Sequence, residues 1–293
     1  MLNISIIIPT YNRPKTLKNC LDSLAKLNYS KNLFEVIIVD DGSPQSLEKI
    51  VLDFEQKINL TYLKQENKGP ATARNNGAKK AQGKYLVFTD DDCEVHEKWL
   101  TKLEQIWLTN PEAILGGKTI NKLTNNIYSQ ASQCLVDYIY YYYNLSAQQA
   151  QFFTSNNFGI PKNIFNELGG FNTTFPLPAA EDREFCYRIY NQGYPMIYVE
   201  EAIIYHSHLL TFKSFWKQHY NYGKGAKYFH QIKTEKIQIE SIKFYWQLLI
   251  YPLQWETVTS QKLTLVLLFL VSQIANISGF FRELIIKKSI KHL

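Results

Sequence analysis

The chain has 293 residues, of which 45% are apolar and 20% charged, and a formal net charge of +6. Those shares are ordinary for a folded protein, and the length suits one α/β domain with an appendage. The mild positive charge fits an anionic ligand or an anionic lipid surface. No Lys/Arg run and no nucleic-acid module stands out, so nucleic acid is excluded as an expected partner.

The N-terminal stretch MLNISIIIPTYNRP has too short an apolar run for a signal peptide and reads as a strand. Ile4–Ile8 is β-branched, the pattern of a buried parallel strand, and Pro9 is expected to end it. Leu17, Leu21 and Leu24 are spaced for one helical face. Phe34–Val39 is a second buried strand, followed by Asp40-Asp41-Gly42-Ser43. Ser46–Phe54 reads as helix, Leu60–Leu63 as strand and Pro70–Ala81 as a helix of small residues stopped by Gly83. Tyr85–Thr89 is a fourth buried strand, running into Asp90-Asp91-Asp92. Glu97–Leu108 reads as helix and Ala113–Gly116 as strand.

This alternation predicts an α/β fold, a mostly parallel sheet with helices on both faces. Ligands of such sheets bind beyond the carboxyl ends of the strands. Pro9-Thr10-Tyr11, Asp40-Asp41 and the acidic triplet all sit at such ends, so three segments are expected to converge on one crevice.

Beyond residue 120 the pattern changes. Asn126–Tyr143 and Ala180–Gln192 read as helices, the second opened by Glu181-Asp182. Met196–Val199 and Ile203–Tyr205 read as two strands, with His206 and His208 just beyond. Phe212, Phe215, Trp216 and Tyr220 fall on one helical face. Leu263–Phe281 carries no charge and is bracketed by Lys262 and Arg282. The four cysteines (Cys20, Cys93, Cys134, Cys186) are scattered, which predicts reduced structural thiols and neither a disulfide framework nor a zinc site.

Taken singly, the polar motifs have two readings each. Three consecutive carboxylates form either a solvated acidic turn or a seat for Mg²⁺ or Mn²⁺, which takes one or two carboxylates together with substrate phosphates. Asp40-Asp41-Gly42-Ser43 is either a turn or an acceptor for a base or ribose. Arg74 is either a surface residue or a phosphate contact. Glu181-Asp182 suits a helix N-terminus or a general base. His206 is structural or a metal ligand through neutral imidazole.

In combination the segments IIIPTYNR (6–13), EVIIVDDGS (35–43), NKGPATARNNGAKKAQGKYLVFTDDDC (67–93), TSNNFGIPKNIFNELGGFNTTF (154–175), EDREFCYRIYNQG (181–193) and IIYHSH (203–208) resemble the glycosyltransferases of family 2, with the GT-A fold. The resemblance covers about residues 3–230. It implies that Pro9, Thr10 and Tyr11 line the nucleoside pocket, that Asp41 hydrogen-bonds the base, uracil in most relatives, and that Arg74 lies near the nucleotide. Asp90-x-Asp92 matches the family's DxD motif: Asp90 or Asp91 touches the ribose and Asp92 binds the metal. His206, favoured over His208 by its place after the strand, is a further metal ligand. Asp182 is the catalytic base, and Asn156 and Asn157 sit near the donor sugar or acceptor.

The implied activity is an inverting transfer from a nucleotide-diphosphate sugar, a UDP-sugar, to a hydroxyl of a glycan or lipid-linked acceptor, with Mn²⁺ or Mg²⁺ as cofactor. A nucleotidylyltransferase would show a Gly-rich phosphate loop where Pro9–Arg13 stands. A non-catalytic sugar-nucleotide or polysaccharide binder on the same fold is the alternative. The expected organisation is a transferase domain over 1–230, with a nucleotide-binding half (1–120) and an acceptor-side half (121–230), then a helical region over 231–293. Leu263–Phe281 with its flank Lys287, Lys288 and Lys291 suggests peripheral contact with the cytoplasmic face of a membrane.

Overall fold

A computed structural model describes residues 3–145, 149–175, 179–233, 240–255 and 259–290 of the chain. Pro176, Leu177 and Pro178, in the expected acceptor-side half, lie outside the described residues, as do the side chains of Lys287, Lys288 and Lys291. The chain forms two compact units. The first holds residues 1–122, 143–174 and 182–207, and the second holds 123–142, 175–181 and 208–293.

The first unit is built on one sheet. Its strands are β1 (Ile4–Thr10), β2 (Phe34–Asp40), β3 (Leu60–Lys64), β4 (Tyr85–Phe88), β5 (Cys93–Val95), β6 (Ile114–Asn121), β7 (Phe158–Pro161) and β8 (Met196–His206). They lie in the order β3-β2-β1-β4-β7-β6-β8-β5. β1 to β4 are mutually parallel, as are β6 and β8. β7 runs antiparallel between β4 and β6, and β5 antiparallel to β8. The sheet is therefore mixed, with its four-stranded parallel part where the β-branched runs predict it.

Helices cover both faces because β1 is apolar on both. Ile4, Ile6 and Ile8 share a core with Leu17, Cys20, Leu21 and Leu24 of α1 (Pro14–Leu24). Ile7 points the other way, toward α3 (Pro70–Lys80). A Cβ on Gly77 of α3 would lie 2.6 Å from Ile7 Cγ2, so this helix sits close to the sheet only because position 77 has no side chain. α2 (Glu48–Leu52) is shorter than expected, and α4 (Trp99–Thr109) seats Trp99 and Trp107 in the first core.

Three strand expectations need correction. Pro9 does not end β1, which continues to Thr10 opposite Asp40. β4 stops opposite Ile7, so Pro9 has a strand on one side only and tolerates the missing N–H. Met196–Val199 and Ile203–Tyr205 are one strand, β8, with a bulge where its pairing jumps from Val199 to Ile203 opposite Gly117/Lys118. β5 and β7 are additions to the expected set.

The second unit is helical among its described residues. α5 (Ile127–Tyr140) is capped by Asn126, whose side chain accepts from Ser129 N at 2.8 Å. It stops short of the expected Tyr143, and Tyr141–Leu145 winds on as a π-turn. α8 (Phe212–Lys233), α9 (Ile242–Gln254) and α10 (Thr259–Ile290) complete the second unit, whereas α6 (Lys162–Glu167) and, but for Glu181, α7 (Glu181–Asn191) belong to the first. The expected boundary at 230 falls inside α8. The buried face of α8 runs through Phe215 and His219, while Phe212 is exposed. Burial lowers the His219 pKa to about 3, so it packs as a neutral ring. α8 and α10 are in close contact through glycines: a Cβ on Gly223 would meet Asn276 O at 1.8 Å, and one on Gly279 would meet Tyr220 O at 2.0 Å.

Candidate functional site

The carboxyl ends of β1, β2 and β4 bring together the polar motifs of the first unit. Asp91 and Asp92 are only 3% and 9% exposed, which removes the solvated-turn reading of the triplet. Each carboxylate has a cation. Asp90 accepts from Arg74 Nη2 at 2.7 Å, and Arg74 is itself buried. Arg13 Nη1 bridges Asp91 Oδ1 at 3.1 Å and Asp92 Oδ2 at 3.0 Å. Thr10 Oγ1 donates to Asp91 Oδ2 at 2.7 Å. Burial pushes the Asp91 pKa up to about 6, against the pull of Arg13 and Thr10 and with the help of Asp92.

Asp92 meets His206 across the sheet edge. β5 and β8 pair Cys93 with His206, and Ser207 N donates to Asp92 O at 2.8 Å. His206 Nε2 lies 3.2 Å from Asp92 Oδ1. Burial lowers the His206 pKa, but the charge and hydrogen bond of Asp92 outweigh it, and the net shift is upward. Asp92, Cys93 and His206 offer donor atoms all within 4.8 Å of one another. A carboxylate oxygen and an imidazole nitrogen suit a divalent ion. His208, the other histidine considered, belongs to the second unit.

The β2 end anchors a loop. Asp41 accepts from Gln65 Nε2 (2.8 Å), Lys68 N (2.8 Å) and Gly69 N (2.9 Å). Asp40 accepts from Ser43 N at 2.8 Å and from Tyr62 Oη at 2.6 Å. Gly42 turns the chain at φ +83°, and a Cβ there would meet Asn67 N at 2.8 Å. Ser43 Oγ in turn accepts from Asn12 N at 2.7 Å. The turn reading of Asp40–Ser43 is realised, and Asp41 spends three of its acceptor sites within the chain, on the 65–69 segment. Pro9 is buried in β1 and Tyr11 is exposed.

Asp182 stands in the first turn of α7. Burial raises its pKa, opposed by the amide of Arg183, which donates to Oδ1 at 2.7 Å, by the charge of Arg74, and by the Ser155 amide. Arg74 therefore acts on both Asp90 and Asp182. α7 is seated by Phe185, which packs with Phe158, Phe165 and Phe171. Asn75 of α3 holds the Phe171 backbone by both its N–H (2.9 Å) and its O (2.8 Å). Asn156 Oδ1 accepts from Thr154 Oγ1 at 2.7 Å. Asn157 is a strut: it accepts from Trp99 Nε1 at 2.9 Å and donates to Ala202 O at 2.9 Å.

Two site residues escaped sequence reasoning. Arg13 follows a turn and has no periodic signal, although its place in PTYNR beside Thr10 was visible. Cys93 enters the cluster only because β5 forms.

Residues 5–169 match the family described as glycosyl transferase family 2. The chain is 25% identical over 263 residues to a probable glycosyltransferase, YdaM, of Bacillus subtilis, covering 83% of this chain and 61% of that protein. It is 30% identical over 238 residues to chondroitin synthase of Escherichia coli, covering 69% of this chain and 34% of that one. It thus spans less than two thirds of the length of either relative. Among solved structures, the mannosyltransferase PcManGT of Pyrobaculum calidifontis, in complex with GDP-Man and Mn²⁺, superimposes with TM-score 0.65 at 15% identity over 94% of this chain and 86% of that one. S. aureus TarS 1–349 in complex with UDP-GlcNAc superimposes with TM-score 0.57 at 17% identity over 95% and 89%. Both likenesses are of fold.

Proposed function

Since the chain belongs to glycosyl transferase family 2, we propose that it is a glycosyltransferase that transfers a sugar from a UDP-sugar to a hydroxyl of a glycan or lipid-linked acceptor, in a single inverting displacement. The observation that carries this reading is the convergence of Arg74–Asp90, Asp91 and Asp92–His206 at the carboxyl ends of the strands. The complexes of PcManGT with GDP-Man and Mn²⁺ and of TarS with UDP-GlcNAc support a nucleotide-sugar donor and a divalent cofactor, Mn²⁺ or Mg²⁺.

In this reading Pro9, Thr10, Tyr11 and Asp41 line the nucleoside pocket, and Asp41 also fixes the 65–69 loop that opens α3. Asp90 or Asp91 takes the ribose. Asp92 and His206 would hold the cation, which when bound would supply Lewis-acid neutralisation of charge at the diphosphate. Arg74, held by Asp90, adds fixed positive charge close to the nucleotide. Asn156 lies on the sugar or acceptor side. Asp182 accepts the proton of the acceptor hydroxyl, and its raised pKa brings it nearer the range in which a base works efficiently. α10, with the segment Gln261–Glu283 long and apolar enough to cross a bilayer, is assigned instead to peripheral contact with the cytoplasmic face of a membrane.

A panel of sugar nucleotides with and without Mn²⁺ tests the donor assignment: the true donor raises the melting temperature only with metal. With that donor, Asp182→Asn should keep metal-dependent donor binding and lose transfer by on the order of 10²–10⁴-fold. Turnover at the wild-type rate would remove Asp182 from the mechanism. Metal-independent stabilisation by every nucleotide alike would remove Asp92 and His206 from donor binding.

A further inference from the structure

The turn Leu168-Gly169-Gly170-Phe171 has no task in the proposed transfer, yet side chains of two helices hold it. Gly169 and Gly170 stand at φ +76° and +71°, a left-handed pair that residues with side chains rarely adopt. A Cβ on Gly170 would lie 2.7 Å from Asn75 Oδ1, so the turn approaches α3 this closely only as glycine. Asn75 satisfies both backbone groups of Phe171: its Oδ1 accepts from the N–H at 2.9 Å and its Nδ2 donates to the carbonyl at 2.8 Å. From α7, Arg188 donates to the carbonyls of Leu168 and Gly170. Buried Glu184 fixes that guanidinium through Nε at 2.7 Å and Nη2 at 2.9 Å.

What this clamp places is the Phe171 ring. The ring is buried, 5.2 Å from Phe88 at the end of β4 and 4.8 Å from Phe185 of α7. The guanidinium carbon of Arg74 stands 5.7 Å from the centroid of the same ring, within the roughly 6 Å at which an aromatic face attracts a cation. Arg74 and Asn75 are adjacent on α3, so one grips the Phe171 backbone while the other lies over its ring. Arg74 Nη2 also reaches Asp90 at 2.7 Å. The guanidinium is therefore set between a ring and a carboxylate. Arginine carries large rotamer freedom, and a ligand meets it at lower cost where that freedom has been removed beforehand.

We propose that Asn75 is a positioning residue of the donor site: by pinning Phe171 it holds the Arg74 guanidinium where a nucleotide meets it. The inference rests on the reading of Arg74 as close to the nucleotide, and adds to it the residues that fix Arg74 there. A clamp that served the fold alone would lower stability and leave the contribution of Arg74 to binding unchanged.

The test is a double-mutant cycle on the full chain, read as the Kd of a nucleotide in calorimetry. UDP and GDP are each titrated with Mn²⁺ present, and the cycle is run with the tighter of the two. Arg74→Gln and Asn75→Ala should each weaken binding on the order of 10-fold, and the double variant should stay within about 2-fold of Arg74→Gln alone. Phe171→Leu, which keeps a backbone for Asn75 to hold and removes the ring, should match Asn75→Ala in both backgrounds, and it decides the question if Asn75→Ala does not fold. Losses that multiply to about 100-fold in the double variant would overturn the coupling and leave Asn75 a structural residue. Unchanged affinity in both Asn75→Ala and Phe171→Leu would overturn it too. Unchanged affinity in Arg74→Gln, or no binding of either nucleotide by the wild-type chain, would instead overturn the reading of Arg74 on which the inference stands.

Discussion

Arg13 is the residue on which the acidic triplet depends in the absence of metal. Asp91 is buried, and its pKa is raised to about 6 from an ordinary value of 3.8. A raised folded-state pKa means that protonated Asp91 stabilises the fold at low pH. That contribution is lost as pH rises through about 6, where the ionised form remains and needs its counter-ion. Arg13 supplies it, although half of its side chain is exposed, and solvent screening reduces what the pair is worth. Arg13→Gln should therefore cost about 1 kcal/mol of metal-free stability at pH 8 and less at pH 5, where Asp91 is protonated and only the Asp92 half of the bridge is lost. Urea melts at the two pH values check this, and an equal loss at both would show that Arg13 acts through Asp92 or through packing and not through Asp91. At the proposed base, burial raises Asp182, so the acid limb of the transfer rate should lie above the usual carboxylate range. A pH profile of kcat/KM that is flat down to pH 4 would contradict that.

At the scale of elements, α3 shows how tightly one helix is tied to the sheet. Gly77→Ala gains helix propensity of about 1 kcal/mol but drives a Cβ to 2.6 Å from Ile7 Cγ2 and 3.2 Å from Val39 Cγ2. Both neighbours are fully buried strand residues that cannot swing away. The clash should win, with a net loss of about 1–3 kcal/mol, and because α3 carries Arg74 the donor affinity should fall with it. Thermal melts and donor titrations on the same variant check both; a stabilised variant would show that α3 can slide. The same element explains what was legible in the sequence. β1, β2 and β4 were readable because each is a continuous apolar run buried on both faces, and the acidic and Thr10 motifs were placed simply by following those runs to their carboxyl ends. β7 was not readable: Phe158-Gly159-Ile160-Pro161 has the wrong propensities for a strand. It forms because it bridges β4 and β6 and because Phe158 packs with Phe88, Phe171 and Phe185. β5 is three residues long and offers no period to detect. It is nonetheless what sets Cys93 against His206, so the part of the site that sequence reasoning missed is the part made by non-local pairing.

At the scale of the whole molecule, the net charge of +6 and the surface of α10 bear on the same question. Leu263, Leu267, Leu270, Ile274, Ile277 and Phe281 are all exposed along one stripe. The opposite face of the helix is already used: Leu265, Phe269, Ser272 and Ala275 are buried, and α8 lies against Asn276 and Gly279. A spanning α10 would have to draw in α8 with its lysines, at about 2.5–3.5 kcal/mol for each charge at mid-bilayer. A helix lying in the interface needs no such step. It buries only the stripe, at about 1.5–3 kcal/mol for each large apolar side chain fully withdrawn from water, and leaves Lys262 and Arg282 at the headgroups. In the proposed peripheral contact, the full chain should therefore sediment with vesicles containing an anionic phospholipid, less with purely zwitterionic ones, and less again as salt screens the attraction. Leu267→Glu with Ile274→Glu, both on the exposed stripe, should lower vesicle affinity at least about 10-fold, since two buried apolar side chains are replaced by charges repelled by the surface. Transfer to a water-soluble acceptor should be unchanged in that variant. Binding to anionic vesicles that is indifferent to the double substitution would place the contact elsewhere on the chain, and failure of the wild-type chain to bind at low salt would leave the stripe without a lipid role.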